Sequence, residues 1–420
     1  MQKKIVALAV AGLSTAAFAQ TNVTIYGVAD VSGQGFSQSN VKSGLAAANG
    51  ANGGSTFNMQ SNSSLMGFKG TEDLGNGLKA LFQAETELNL AGQNYTTSTN
   101  AAAKQGGVAY GTGNSVFSTL RDSYVGMSSK YGTMMGGYMS TPMRQTVTSF
   151  DVMPGATGSS QIDKFMTAQR YGATGLQFAT AVRATAVAYA MPTLYGFNGS
   201  IVYTGSSNNG TTNSTTTTGN CDTNANDISA CTAQAQSAFG FNLGWTGYGV
   251  NIQGAFQQNN NQFTPSTTTK IGNYGDYTSY AVGAAYTGLP GLKLSTLYAR
   301  NSLGTNGVTG LSTNGAGKIT NNQLFAGASY RMGNWEPAVS AIWSSDMDGS
   351  SVQQLGSRQW TARTGYYLSK RTQVYGLISN LNNSANQNFT FGQQQSNLGT
   401  SAQSSGSNLF TYGMGMRTTF

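Results

Sequence analysis

Between Asn408 and Phe420 the residues Phe410, Tyr412, Met414, Met416, Thr418 and Phe420 alternate with Thr411, Gly413, Gly415, Arg417 and Thr419. A period of two makes a strand with one apolar face and one small or polar face. The same alternation recurs along the chain on about sixteen segments in all. At 22–35, Val23, Ile25, Ala29 and Val31 oppose Thr24, Tyr26, Asp30 and Ser32. At 78–90, Leu78, Ala80, Phe82, Ala84 and Leu88 oppose Lys79, Gln83, Glu85 and Glu87. Tyr124, Tyr203, Trp245, Tyr298, Trp343 and Trp360 are read on the apolar parity, many near strand ends. The core of a soluble sandwich is one home for such a face and lipid is the other. Lipid is favoured because the opposite faces carry Asp, Glu, Lys, Arg, Gln and Asn, which a packed interior would have to pair at several kcal/mol apiece.

Short Gly-rich turns such as 71–77, 129–132, 247–249 and 288–291 alternate with long Asn/Ser/Thr segments. That asymmetry is expected of a membrane barrel with short connections on one side and long ones on the other. After the leader, no stretch reaches 18 apolar residues, so any membrane passage has to use strands whose backbone groups pair around a closed sheet. The one long stretch without a sustained period is 142–176, which contains Asp151, Pro154 and Asp163. An irregular segment of that length in a compact fold is usually functional or disordered.

Two features of composition change this picture. Lys3 and Lys4 precede an apolar run from Ile5 to Leu13, and Ala17-Phe18-Ala19 has the small-x-small form of a cleavage site, so residues 1–19 read as a signal peptide and 20–420 as one barrel domain. Removing the leader takes Lys plus Arg from 22 to 20 against 14 Asp plus Glu, and the net charge from +8 to +6. The basic residues are scattered, with no patch for nucleic acid. The chain has no histidine, which removes the usual metal ligand and the usual general base, and no motif calls for a cofactor. The two cysteines, Cys221 and Cys231, lie in one polar stretch. A disulfide fits an exported protein, and free thiols or a metal pair is the other reading.

Several stretches resemble the general porins of beta-proteobacteria. Met66-Gly67-Phe68-Lys69-Gly70-Thr71-Glu72-Asp73-Leu74-Gly75-Asn76-Gly77-Leu78-Lys79-Ala80 is close to that family's first periplasmic turn, and Val23-Thr24-Ile25-Tyr26-Gly27-Val28-Ala29-Asp30 to its first strand. Arg121-Asp122-Ser123-Tyr124-Val125-Gly126 is similar to a strand motif whose Arg points into the pore, and Leu368-Ser369-Lys370-Arg371-Thr372 to a family turn. The resemblance implies an all-β, 16-stranded antiparallel transmembrane barrel with short periplasmic turns, long outer loops and a third loop folded inward. It also implies an outer-membrane homotrimer that passes small hydrophilic solutes and inorganic ions and contacts the lipid bilayer and lipopolysaccharide. Phe420 then looks like the mark read by the barrel-assembly machinery.

In such a channel the working chemistry is a local field, because a low-dielectric wall focuses the charges that line it. Arg121 is the first candidate for a basic wall, followed by Lys69 and Arg363, whose parity is inward. Asp151 and Asp163 are the candidates for an opposing acidic loop. Arg183 looks like a basic residue of the family's sixth strand, but strict alternation puts it on the face of Tyr189 unless a bulge intervenes. The chain also departs from the family. Leu65 stands where an Arg is usual, and Gly136-Gly137-Tyr138 stands for Gly-Arg-Gln. Arg144 and Arg170, at the two ends of the irregular segment, are the residues that could compensate. The expected channel is a general one with an anion preference at most, and a substrate-selective outer-membrane channel is the alternative within that class. A barrel enzyme and an adhesin or receptor working through its outer loops are the competing readings from other classes, the first weakened by the missing histidine.

Overall fold

A computed structural model describes residues 22–40, 55–91, 104–105, 108–109, 116–153, 161–171, 176–205, 237–260, 275–304, 317–391 and 405–420. Residues 1–19 and both cysteines, Cys221 and Cys231, lie outside the described residues.

Sixteen antiparallel passes close into one barrel. They are β1 (Asn22–Ser39), β2 (Ser55–Ser61 continuing as Leu65–Gly75), β3 (Leu78–Leu88) and β4 (Phe117–Leu120 continuing as Ser123–Ser129). Then come β5 (Gly132–Ser140), β6 (Arg183–Ala190), β7 (Phe197–Thr204) and β8 (Ser237–Gly247). The third quarter is β9 (Val250–Asn260), β10 (Tyr277–Tyr286), β11 (Leu292–Gly304) and β12 (Lys318–Tyr330). The last is β13 (Trp335–Ser344), β14 (Ser357–Tyr367), β15 (Thr372–Asn383) and β16 (Asn408–Thr419). Each pairs with the next, and β1 pairs with β16 from Val28↔Thr419 to Ser39↔Asn408. No sheet edge is left open, as a lipid environment demands. The short connections include the two-residue turn Tyr248-Gly249, where φ is 51° and 75°. Both residues are left-handed, the mirror-image turn whose twist suits a hairpin.

The apolar parity faces outward, as expected: Met414 is 75% exposed, and Val23, Ile25, Trp343 and Trp360 are also open to the surroundings. Two passes break the alternation. On β2 the register goes from Val31↔Ser61 to Val28↔Leu65, so four residues span three of β1. On β4 it goes from Thr86↔Leu120 to Gln83↔Tyr124, again four against three. Each is a one-residue bulge, which swaps the faces on either side of it. Tyr124, expected on the outward face, therefore points inward and donates its O–H to Gln83 Oε1 at 3.2 Å.

The bulge on β2 has a polar lock beside it. Asp30 of β1 is 0% exposed and accepts from Tyr375 O–H at 2.6 Å, Asn62 Nδ2 at 3.0 Å and Arg417 Nη1 at 3.2 Å. Asp30 and Arg417 are register partners across the closing pair. A buried carboxylate needs such partners, and here they come from β2, β15 and β16. Below them Gly27 and Phe420 exchange backbone hydrogen bonds of 3.0 and 3.1 Å.

The interior is not uniformly wet. Leu297, Leu303, Ile319, Phe325 and Ile342 point inward and are buried. They belong to one apolar cluster with Met143, Val147, Phe150, Ile162, Phe165 and Met166, which come from the segment between β5 and β6, apart from Leu303 and Ile319, which are buried beside it. That segment has more order than its lack of period suggested. It holds the helix α1 (Pro142–Ser149), a single 3-10 turn at Ile162–Lys164, and a small hairpin of Ala168–Tyr171 with Leu176–Ala179. Thr141 caps α1 by accepting from Arg144 N at 3.3 Å, and Pro142 occupies the first turn, where its missing N–H costs nothing. Eight residues give barely two turns, too few for a helical period to show in the sequence.

Candidate functional site

The segment between β5 and β6 is held inside the barrel by neutral amides on the inward parity of β11 and β12. Gln323 Oε1 accepts from Thr167 N at 2.7 Å, while its Nε2 donates to Ala168 O at 2.8 Å and Phe165 O at 3.1 Å. Gln169 Nε2 donates to Asn321 Oδ1 at 3.0 Å, and Tyr277 O–H to Thr167 O at 2.9 Å. Nearer α1, Lys293 Nζ donates to Asp151 O at 2.5 Å and Ser149 O at 3.1 Å, and the Ser295 hydroxyl to Phe150 O. The wall is also shaved to receive the loop. A Cβ on Gly283 would stand 2.5 Å from the Phe150 ring, and one on Gly327 would stand 2.7 Å from Val152. The loop thus has its polar anchors on the inside of β8 to β12, and meets the opposite wall through the apolar Phe36, Leu381 and Leu409 and through Gln161 Nε2, which donates to Ser63 Oγ at 3.4 Å.

Four of the residues singled out from the sequence come together where the loop leaves and rejoins the barrel. Arg121 lies 3.7 Å from Glu85, Arg183 lies 3.0 Å from Asp122, and Arg144 pairs with Asp163. With Lys164, whose charge is supported by Asp163 and Glu87, this cluster sets four cations against four carboxylates. The bulge on β4 builds it, because the extra residue lets Arg121 and Asp122 both reach inward. Arg183 keeps the parity of Tyr189, with no bulge between Arg183↔Ser140 and Ala190↔Thr133, and its guanidinium turns to Asp122 from the strand end. Asp163 does not face the basic wall across a gap. It is buried against the Arg144 of its own loop. Burial works against its charge, but Arg144, then Lys164, hold the carboxyl down to about 2.

The other candidates sit apart. Lys69 is exposed to the lumen with its ammonium 5.0 Å from the Tyr26 ring centroid. Arg363 is inward but only 3% exposed, stacked 4.6 Å over Tyr375 with Nη2 donating to Gln373. Asp151 is half-buried beside Lys293, and burial, reinforced by the charge of Asp163 and opposed by the Met153 N–H, pushes its carboxyl up to about 7. Arg170 rests 5.7 Å over the ring of Phe389. The two departures from the family pattern have a shared effect. Leu65 faces inward between Val28 and Glu87, and the inward position of Gly137 is covered by Tyr124, whose Cα a Cβ there would approach to 2.6 Å. Neither position leaves a basic group in the lumen.

A closed barrel of sixteen passes with a loop clamped inside it has clear relatives. The sequence matches the model of the Gram-negative porin family over residues 6–386. The chain belongs to that family. Among individual relatives, this porin is 31% identical over 204 residues to outer membrane porin protein 32 of Delftia acidovorans, covering 48% of this chain and 49% of the relative. It is 29% identical over 211 residues to the major outer membrane protein P.IB of Neisseria gonorrhoeae, covering 50% of each. The chain thus matches about half the length of these curated relatives, 49% and 50%. In fold, the porin is similar to the anion-selective porin from Comamonas acidovorans, with a TM-score of 0.59 at 20% identity over 96% of this chain and 100% of that one. It is also similar to the OmpF of Salmonella typhi, with a TM-score of 0.56 at 15% identity over 95% and 97%.

Three features of the site escape a reading by parity. Glu85 and Asp122 are legible as polar positions, but their partners lie on other passes. Gln323 and Asn321 lie on the inward parity like many other neutral amides, and only the fold makes them the anchors of the loop. The stack of Phe165 on Phe389, 4.3 Å apart at 14°, joins that loop to the connection between β15 and β16, and no local pattern signals it.

Proposed function

We propose that this porin is an outer-membrane diffusion channel for small hydrophilic solutes and ions, with a weak preference for anions. The observation that carries the reading is the loop clamped inside a closed barrel, ending in a cluster of three ion pairs. A closed barrel of sixteen passes encloses a lumen, the loop narrows it, and Lys69, Arg170 and Arg363, which have no carboxylate within 4.0 Å among the described residues, leave a small positive field inside it. The preference is weak because the carboxylates lie against the arginines instead of across from them. Residues 1–19 serve as the export leader, the barrel-assembly machinery reads the strand ending in Phe420, and lipid and lipopolysaccharide surround the barrel. Catalysis has no part in this reading.

The working form is a homotrimer. Tyr203, Tyr280, Tyr298, Trp335, Trp343 and Trp360 give β7 to β14 an aromatic outer face, as at a bilayer boundary. The outer face of β16 and β1 to β5 carries Met59, Met127, Met134, Met414 and Met416 beside Phe57, Phe68, Phe117 and Tyr412. Methionine adapts to an opposing protein surface, so this sector is the one that meets the neighbouring subunits.

The test is conductance of the full-length protein in a planar bilayer under a salt gradient. Ohmic steps in groups of three with a reversal potential slightly on the anion side are expected. Absence of conductance from protein that retains its barrel would end the channel reading, and single steps from a monomer would end the trimer.

A further inference from the structure

Among the described residues, Arg121, Arg144, Arg183 and Arg417 each have a carboxylate within 4.0 Å. Two interior arginines have none. Arg363 lies on the barrel wall, donates to Gln373 and leaves its Nε and Nη1 buried without an acceptor. Arg170 lies on the inward loop. Its Nε is buried without an acceptor, and its guanidinium carbon lies 5.7 Å from the Phe389 ring centroid. Acid is scarce in this chain. Of its fourteen Asp and Glu only Asp222 and Asp227 fall outside the described residues, and none of the other twelve reaches Arg170.

The position is also fixed. Thr167 and Gln169 on either side of Ala168 are tied to the wall by Gln323, Tyr277 and Asn321, so Ala168 and Arg170 share the parity that points away from it. Beneath Arg170, Phe389 is 0% exposed and stacked on Phe165. Its backbone is held at both ends by Asn383, whose Oδ1 accepts from Phe389 N at 3.0 Å and whose Nδ2 donates to Phe389 O at 2.9 Å. Nδ2 of the same Asn383 donates to Ser407 O at 3.1 Å, while the hydroxyls of Ser405 and Ser407 are buried without a partner. A guanidinium stays ionised at any physiological pH, and holding it in a protein interior without a counter-charge is costly. Two loops nevertheless hold it there.

We propose that Arg170 is an anion-binding station, built jointly by the inward loop and the β15–β16 connection, that takes the oxyanion of a passing solute, a carboxylate or a phosphate. The flat fork of N–H groups matches two oxygens of such a group, which a spherical chloride does not offer. The station lies toward the barrel end that carries the long loops, beside Tyr277 and the residues that anchor Gln169. It concentrates oxyanions before they reach the cluster around Arg121. This rests on the diffusion-channel reading and gives it a solute class.

The test uses the refolded full-length protein in planar bilayers, with potassium chloride, potassium acetate and potassium phosphate as the probes. Wild-type current is expected to saturate with rising phosphate and acetate concentration but to stay linear in chloride. Arg170→Gln is expected to abolish the saturation and lower the anion-to-cation permeability ratio by about two-fold, the factor for one unit charge roughly 8 Å from an ion in water. Arg170→Lys keeps the charge and loses the fork, so it should keep the ratio and lose most of the saturation, and it decides the matter if Arg170→Gln does not fold. Saturation unchanged in either folded variant, or linear phosphate current in the wild type, overturns the station and leaves the channel standing. A wild-type protein that does not conduct overturns the channel reading instead.

Discussion

The inner face of the barrel has two walls made by one alternation and filled in different ways. On β9 to β12 the inward positions are Ala, Gly, Ser, Asn, Gln and a few aliphatics, such as Ala281, Gly283, Ser279, Asn301, Gln323 and Leu297, and they receive a loop. On β14 to β16 and β1 to β4 they include Asp30, Tyr26, Glu85, Arg363 and Arg417, and they receive one another. A loop brings unpaired backbone groups, and here neutral amides with the single cation Lys293 satisfy them. The other wall meets the loop mainly through apolar side chains, so its polar groups are left to one another and to water. The lesson is that a lumen position is not a single category: parity says that a side chain points inward, and what it meets there decides between anchor, ion pair and field.

The comparison breaks most visibly at the seam. Asp30→Leu leaves Arg417 without its carboxylate and Tyr375 without its acceptor, and the barrel should lose about 3 kcal/mol, the range for breaking a buried ion pair. Urea unfolding of the refolded protein, followed by the heat-dependent shift on gels, reads this loss. A midpoint equal to wild type would mean that this wall is held by something else. On the covered wall, Gln323→Leu removes the acceptor of Thr167 N–H and a donor from Ala168 O, at about 1–3 kcal/mol for each buried group left unpaired, while Phe165 O keeps Ala168 N–H. The loop should come off its wall, raising single-channel conductance and noise while the barrel stays folded. Current traces indistinguishable from wild type would refute the anchoring role.

Smaller effects sharpen the electrostatic side. Arg144→Met leaves the cluster with three cations against four carboxylates, and the anion-to-cation permeability ratio should fall by about two-fold. A reversal potential that does not move would place the ion path elsewhere. The smallest shift is with pH. The Asp151 carboxyl, raised to about 7, is mostly ionised at pH 8 and mostly neutral at pH 6. Anion preference should therefore rise modestly as pH falls through 7, and Asp151→Asn should flatten the curve. The sign for docking is the same. The folded value lies above the ordinary one, so the docked loop is favoured at acidic pH and loses that advantage as pH rises through about 7. Asp163, held at about 2, stays charged across this range and contributes no slope.

Most of the barrel is legible in the sequence because lipid and lumen alternate with the pleat. A period of two is a local property, and each of the sixteen passes carries it. The exceptions are the bulges on β2 and β4, where an inserted residue exchanges the faces, and nothing near Tyr124 marks the insertion. The candidate site is legible in kind and not in pairing. Arg121, Arg144, Arg183 and Asp163 are identifiable as charges on inward or loop positions. That Asp163 neutralises Arg144, and that Asp122 takes Arg183 from 61 residues away, depends on how the loop lies in space. Phe389 shows the limit most plainly: it reads as one aromatic in an outer connection, and its meaning comes from Phe165 on the other loop.

The ion pair between Asp30 and Arg417 joins residues 387 positions apart, nearly the span of the chain. Contacts of such long separation carry the largest loop-closure entropy unless the chain between is already ordered. The pair therefore belongs to the final event of folding, after a nearly complete sheet has formed with β1 and β16 as its two bare edges. During that interval either edge is a template for any foreign strand. A foreign strand offers hydrogen bonds but no carboxylate at the level of Arg417, and a slip of one residue would turn Arg417 toward lipid. The pair thus acts as a proofreading step in time, making the only comfortable end of a slow, exposed search the one in which the chain finds its own beginning.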